Sequence, residues 1–229
     1  MLLPVSWQNT ARNLQAALNS SIAARDFWAR SRGVKFLRYV HRLDGDTSGI
    51  LLLARSPGAL ESYSHLFEGR RMEKTYLAAV EGNPREMEWT CRLKLAPDPR
   101  RTGRMKVDAR EGKDAETHFR VLQKKGRYIL VEAKPFTGRT HQIRVHLAEA
   151  GVPIISDELY GREEERVELG LRAVRLAYAD PFTRRWIDIQ APVETFLREY
   201  GFDVPYVRPN GCSGGLRPAP TDEAERRRS

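Results

Sequence analysis

Nine residues rich in polar and turn-forming types, His41-Arg42-Leu43-Asp44-Gly45-Asp46-Thr47-Ser48-Gly49, lead directly into a short apolar run, GILLLA at 49–54. That junction constrains the fold more than any other stretch of the chain. An uninterrupted apolar run of this length, bounded by turn residues, fits a strand buried on both faces. Such a strand needs neighbours within a sheet and cover above and below it. Charged side chains in the preceding turn then stand at a sheet edge, on a loop fixed by a rigid scaffold, where functional groups concentrate. The turn also has a structural reading, in which Asp44 and Asp46 bond nearby backbone amides. On local grounds the structural reading is the stronger.

Other segments supply the rest of the framework. Apolar positions at helical spacing (Leu14, Ala17, Leu18, Ile22, Phe27) predict one or two amphipathic helices over 9–30. A helix is expected over 57–69, with Pro57 near its start and Gly69 just past its end. KTYLAAVEGNP reads as a strand closed by a turn, and further strands fit 115–122, 127–135, 171–178 and 185–190. Thr140 is placed to cap a helix through HQIRVHLAEA that Gly151 ends, and 194–201 reads as a short closing helix. Strands and helices alternate irregularly, which favours α+β over regular βαβ succession.

The formal charge of +9 suits a polyanionic partner, because neutralised phosphates release counterions. Residues 92–113 carry eight Lys/Arg against three Asp/Glu, either as an RNA contact surface or as a solvated loop. No apolar run approaches the ~18 residues that cross a bilayer, and MLLPVSWQNTAR lacks a secretory pattern, so no membrane association is expected. Two cysteines, Cys91 and Cys212, cannot build a disulfide framework, and free thiols in a reducing, cytoplasmic setting are expected.

Two further stretches could carry chemistry. In Gly138-Arg139-Thr140-His141-Gln142-Ile143-Arg144 a tight turn enters a helix, with His141 and Arg144 on one face. A helix N-terminus with clustered arginines suits phosphate; the alternative is a solvated basic helix with Ile143 and Leu147 facing the core. His141 and His146, five apart, point to different faces, so no metal site is expected. On a strand Tyr76 shares a face with Ala78 and Val80, either as an exposed ring or as a half-buried core tyrosine. P-loop, GxGxxG and CxxC patterns are all missing, which leaves nucleotide hydrolysis and dinucleotide redox chemistry without support.

Taken in order, HRLDGDTSGILLLA, KTYLAAVEG, GRTHQIRVHLAEAGVPIISDELYG and LRAVRLAYADPFT resemble the RluA-type pseudouridine synthases over about residues 38 to 195. The resemblance implies a long mixed, largely antiparallel sheet split by a central cleft and flanked by helices. It implies a catalytic domain over 1–207, without the strand and Lys-Pro segment that open many members; beyond Pro209 the Gly, Pro and Ser content and the terminal Arg triplet predict a disordered tail over 208–229. It further implies an RNA isomerase acting on uridines of ribosomal or transfer RNA as a monomer, with no metal, nucleotide or redox cofactor.

Asp44 matches the nucleophile, which attacks either the uracil ring or the ribose. Tyr76 matches the tyrosine that stacks on the flipped base and takes part in proton removal. Arg144 matches the cation that pairs with the aspartate, and a guanidinium favours the charged carboxylate in a water-poor cleft. Arg42 matches the residue that fills the gap left by the extruded base. His41, Arg139, Thr140 and His141 fall in the substrate-binding stretches, and Leu176 matches an apolar wall behind Tyr76. Two other readings remain open: a non-catalytic RNA-binding protein on the same scaffold, and a DNA-acting base-flipping enzyme.

Overall fold

A computed structural model of the chain describes residues 13–161 and 168–203. The expected tail, the 207/208 boundary and Cys212 lie outside the described residues. In chain order the elements are α1 (Leu14–Ala23), α2 (Phe27–Ser31), β1 (Arg38–Tyr39), β2 (Ser48–Gly49), β3 (Leu53–Ala54), α3 (Pro57–Glu68), β4 (Glu73–Glu81) and β5 (Glu88–Cys91). They continue with β6 (Leu95–Pro97), β7 (Met105–Val107), β8 (Thr117–Lys125), β9 (Tyr128–Pro135), α4 (Gln142–Glu149), β10 (Leu171–Ala179), β11 (Trp186–Gln190) and α5 (Glu194–Glu199).

The architecture is α+β. Six strands pair antiparallel in the order β11-β10-β4-β9-β8-β5, and β2 joins the sheet by a parallel pairing with β10. β4 lies at the centre, and Leu77, Ala78, Ala79 and Val80 within it are fully buried because both faces are covered. Alternation along the strand sorts its side chains. Tyr76, Ala78 and Val80 pack with Val131, Ile143 and Leu147, on the face covered by α4. Leu77 and Ala79 pack with Phe196, Leu197 and Tyr200, on the face covered by α5. Tyr76 and Arg144 are therefore brought to the same side of the sheet by the period-2 pattern of one and the helix of the other.

The GILLLA run is not one doubly buried strand. Its first residue pairs with β10 and its last two pair with β1, so the segment crosses between two sheets. Ile50 donates its N–H to the Ala173 carbonyl, and Leu52 accepts from the Val40 N–H. Ile50 and Leu52 pack with Leu66, Met72 and Tyr178 beneath α3. Six consecutive apolar residues have no period, so they fit a crossing as well as a strand. Gly49 makes the crossing possible. Its φ is +115°, and a Cβ there would lie 2.1 Å from the Ala173 carbonyl oxygen.

α3 follows the expected signals: Ser56 accepts from the Ala59 N–H, and Pro57 occupies the first turn. α4 begins one residue later than expected. His141, at φ 53°, takes the capping position without a side-chain bond to the helix N–H groups, whereas the Thr140 hydroxyl accepts from Arg42. Its end is as expected, with Gly151 at φ 75°. The basic 92–113 segment holds the β6–β7 hairpin, which packs Leu95, Met105 and Val107 against Val145 of α4.

Candidate active site

A cleft of about 450 Å³ opens over the Tyr76 face of the sheet, between α3 and α4. The volume falls within the ~300–1,000 Å³ of small-molecule sites, enough for one extruded nucleotide and too small for a duplex. Arg42, Arg70, Lys74 and Arg139 line it, against Asp44 and Glu68, so the cleft is cationic. It brings together residues more than a hundred positions apart, from the turn before β2, from β4 and from the loop between β9 and α4.

Asp44 sits in a tight turn in which the Thr47 N–H donates to its carbonyl at 3.1 Å. The half-buried carboxylate makes no hydrogen bond or ion pair with any described residue. It acts through space on Tyr76, His141 and Arg144. A structural turn aspartate would bond nearby amides, as Asp108 does with the N–H groups of Arg110 and Glu111. Asp44 does not.

Tyr76 is half-buried in the cleft wall. Burial, and then the charge of Asp44, push its phenol above the ordinary tyrosine range, so it stays protonated at neutral pH. Arg144 does not pair with Asp44. Its guanidinium is fully buried and grips Asp157 with two bonds, Nε to Oδ2 at 2.8 Å and a terminal nitrogen to Oδ1 at 2.6 Å. A fork of N–H donors matches a carboxylate in this way. Asp44 influences Arg144 less than Asp157 does.

His141 joins the same network from the other side. Its Nδ1 lies 2.8 Å from the Tyr160 hydroxyl, which also accepts from the Met105 N–H at 2.7 Å. The hydroxyl keeps a proton that it can donate to Nδ1, a pairing that suits an imidazole with hydrogen on Nε2. Burial lowers the pKa of His141, and the charge of Asp44 partly opposes this. Arg144 and Arg104 lie over the Tyr160 ring at 5.3 and 5.1 Å. His146, by contrast, points to Thr117 at 3.0 Å, away from His141.

Arg42 and Thr140 meet across the mouth of the cleft, where a terminal nitrogen of Arg42 donates to the Thr140 hydroxyl at 3.0 Å. His41 lines the cleft, yet its ring is committed to the loop. It stacks on Phe67 at 4.6 Å, and Nε2 accepts from the Leu52 N–H at 3.0 Å. Burial lowers its pKa to about 4, so it is neutral at physiological pH. Arg139 lines the cleft while its Nε donates to the Asp114 carbonyl at 3.0 Å.

Leu176 lies on the Tyr76 face, opposite Lys74, because a bulge between Ala173 and Arg175 shifts the register of β10. It packs beneath α3 with Leu66, Met72 and Tyr178, and Leu171 is the β10 residue at the cleft.

Sequence reasoning missed four contributors. Asp157 and Tyr160 lay inside the third motif without a role, and only an acidic-to-tyrosine spacing of three hinted at a turn. Lys74 donates to the Thr137 carbonyl at 3.1 Å, and burial, then the charge of Arg70, lower its pKa to about 8. Gln142, buried at the start of α4, satisfies its whole amide. It accepts from the Thr137 hydroxyl and the Arg139 N–H, and it donates to the Glu116 carbonyl and the Thr117 hydroxyl. Those bonds hold the 137–139 loop rigidly at the cleft wall.

Comparison with known proteins agrees with this geometry. A family model described as RNA pseudouridylate synthase matches residues 18–149. An uncharacterized RNA pseudouridine synthase of Chloroflexus aurantiacus is 42% identical over 162 residues, 69% of this chain and 51% of the relative. Ribosomal large subunit pseudouridine synthase C of Escherichia coli K12 is 39% identical over 180 residues, 72% of this chain and 55% of the relative. The chain thus spans about half the length of the curated relatives it matches. Among solved structures, human RNA pseudouridylate synthase domain containing 1 superposes with a TM-score of 0.63 at 30% identity, covering 72% of this chain and 71% of that one. The chain belongs to the RNA pseudouridylate synthase family, as its resemblance to the RluA-type members implied.

Proposed function

We propose that this chain isomerises uridines in structured RNA to pseudouridine, with Asp44 as the nucleophile. One observation carries the reading: a half-buried carboxylate with no bonding partner among the described residues, set in a cationic cleft of nucleotide size. Leaving such a carboxylate without a hydrogen-bonding partner costs stability, a cost that active sites commonly bear. The reaction balances without a co-reactant. The bond from ribose C1′ to uracil N1 breaks, C1′ joins C5, C5 releases its proton, and N1 gains one. Nothing is oxidised or hydrolysed.

Tyr76, held protonated, serves as the surface on which the extruded uracil stacks; this favours stacking over proton removal as its main role. Arg144, fixed by Asp157, keeps a positive charge near Asp44 without neutralising it through a bond. Arg42 enters the gap left by the base, and His141 holds Tyr160, whose ring lies against the Arg144 guanidinium. Several relatives, that of Escherichia coli K12 among them, are named for the ribosomal large subunit, which makes the RNA of that subunit the first substrate to try and the cytoplasm the expected location. Among the described residues no helix is long and apolar enough to cross a membrane.

The test is release of tritium from large-subunit ribosomal RNA containing 5-tritiated uridine. Wild-type protein releases it and Asp44→Asn does not. Binding of the RNA without release would favour the non-catalytic scaffold.

A further inference from the structure

Four large apolar side chains stand exposed among the described residues: Phe27, Met87, Phe136 and Phe182. Of these, Phe136 alone lines the cleft. Phe182 packs its ring edge on Tyr63 at 5.9 Å, whereas no ring, hydrogen-bond or charge contact of the Phe136 side chain occurs among the described residues. The Phe136 side chain is 55% exposed, yet its backbone is fixed. Its N–H donates to the Glu116 carbonyl at 2.9 Å. The next residue, Thr137, accepts from the Glu116 N–H through its hydroxyl and from Lys74 through its carbonyl. Pro135 precedes it at the end of β9, stiffening the chain on the other side.

A large ring held out on a rigid loop gains nothing for the fold. It loses little conformational freedom if something stacks on it, which is the condition for an effective binding surface. Arg42 and Arg139 line the same cleft, and their charges suit a phosphate backbone passing through it. Tyr76 already occupies the inner wall for the extruded base, so Phe136 stands at a second, outer position. We infer that Phe136 is a stacking platform for the nucleobase adjacent to the target uridine. Stacking of this kind is tolerant of base identity, because every base presents a π face. Purines, with the larger face, are held better than pyrimidines.

This inference rests on RNA as the substrate, and two measurements keep the two claims separable. First, a loop oligonucleotide carrying 2-aminopurine on each side of one uridine is titrated with wild-type protein and with Phe136→Ala. The wild type quenches one of the two fluorophores by stacking; Phe136→Ala binds without that quench, and Phe136→Trp restores it. Second, tritium release from large-subunit ribosomal RNA is measured for the same proteins. Phe136→Ala raises KM on the order of tenfold, with a far smaller fall in kcat, as expected for loss of one stacked base. Because the side chain is exposed, the melting temperature stays unchanged.

Equal quenching by wild type and Phe136→Ala, or an unchanged KM, overturns the platform while leaving the catalytic reading intact. A Phe136-dependent quench with no tritium release supports the platform and refutes the catalytic reading instead.

Discussion

Replacing Asp157 with Asn strips the charge from one half of a pair in which both side chains are shielded from water, Arg144 at 4% and Asp157 at 0% exposure. Removing one partner of such a pair costs ~3–5 kcal/mol, since the remaining charge is left buried and unpaired. Asn keeps an Oδ1 for the N–H groups of Leu159 and Tyr160, both now held by that atom at 3.0 and 3.1 Å. The loss for Asp157→Asn is therefore at the low end, about 3 kcal/mol, and Asp157→Ala, which orphans both amides as well, approaches about 5 kcal/mol. At ~2–4 °C per kcal/mol for a domain of this size, Asp157→Asn lowers Tm by about 6–12 °C. Thermal unfolding followed by circular dichroism reads this directly. Adding Arg144→Met, which removes the orphaned cation for a flexible apolar chain, recovers most of the stability and none of the activity. A Tm within about 2 °C of wild type for Asp157→Asn alone would refute the view that Asp157 holds Arg144 in place.

Three further outcomes are expected. Arg42→Ala impairs tritium release from folded RNA while the melting curve stays unchanged, because the side chain is exposed and its one bond among the described residues, to Thr140, lies at the cleft mouth. Equal turnover would remove its role in filling the base gap. RNA affinity weakens as pH rises through about 8, where Lys74 loses its charge, and Lys74→Met abolishes that step in a binding titration. The sign for folding is opposite: the folded pKa lies below the unfolded one, so the Lys74 contribution to stability improves from pH about 8 up to the usual lysine range. Gly49→Ala destabilises by at least ~3 kcal/mol in denaturant unfolding, because the new Cβ meets backbone and the φ of +115° disfavours any side chain.

The parts of the fold with a repeating pattern were legible in the sequence. α3 shows its Ser and Pro start, β4 alternates through Tyr76, Ala78 and Val80, and the β8–β9 hairpin turns at the Gly126 that follows two lysines. What escaped were places where tertiary contacts override local signals. GILLLA has no period and splits between sheets. Thr140 has the chemistry of a cap, but the tight turn carries the chain one residue further, and Arg42 claims its hydroxyl. Arg144 was expected beside Asp44, yet a carboxylate thirteen residues downstream holds it, and nothing in local spacing ranks one aspartate over the other. The placement of Leu176 depends on a bulge in β10 that no residue type announces. Of the site, the sequence shows which side chains are present and not which partner each one takes.

The central claim is that an unpaired Asp44 converts uridine to its carbon-linked isomer. Large-subunit ribosomal RNA is incubated with wild-type protein or Asp44→Asn, digested to nucleosides and separated by chromatography. Wild-type protein should form pseudouridine in an amount equal to the uridine lost and to the tritium released. Asp44→Asn should form at least ~10³-fold less, as expected for removal of a nucleophile, with a Tm equal to or above that of wild type. Pseudouridine formed by Asp44→Asn at the wild-type rate, or none formed by a wild-type protein that binds the same RNA, would contradict the account.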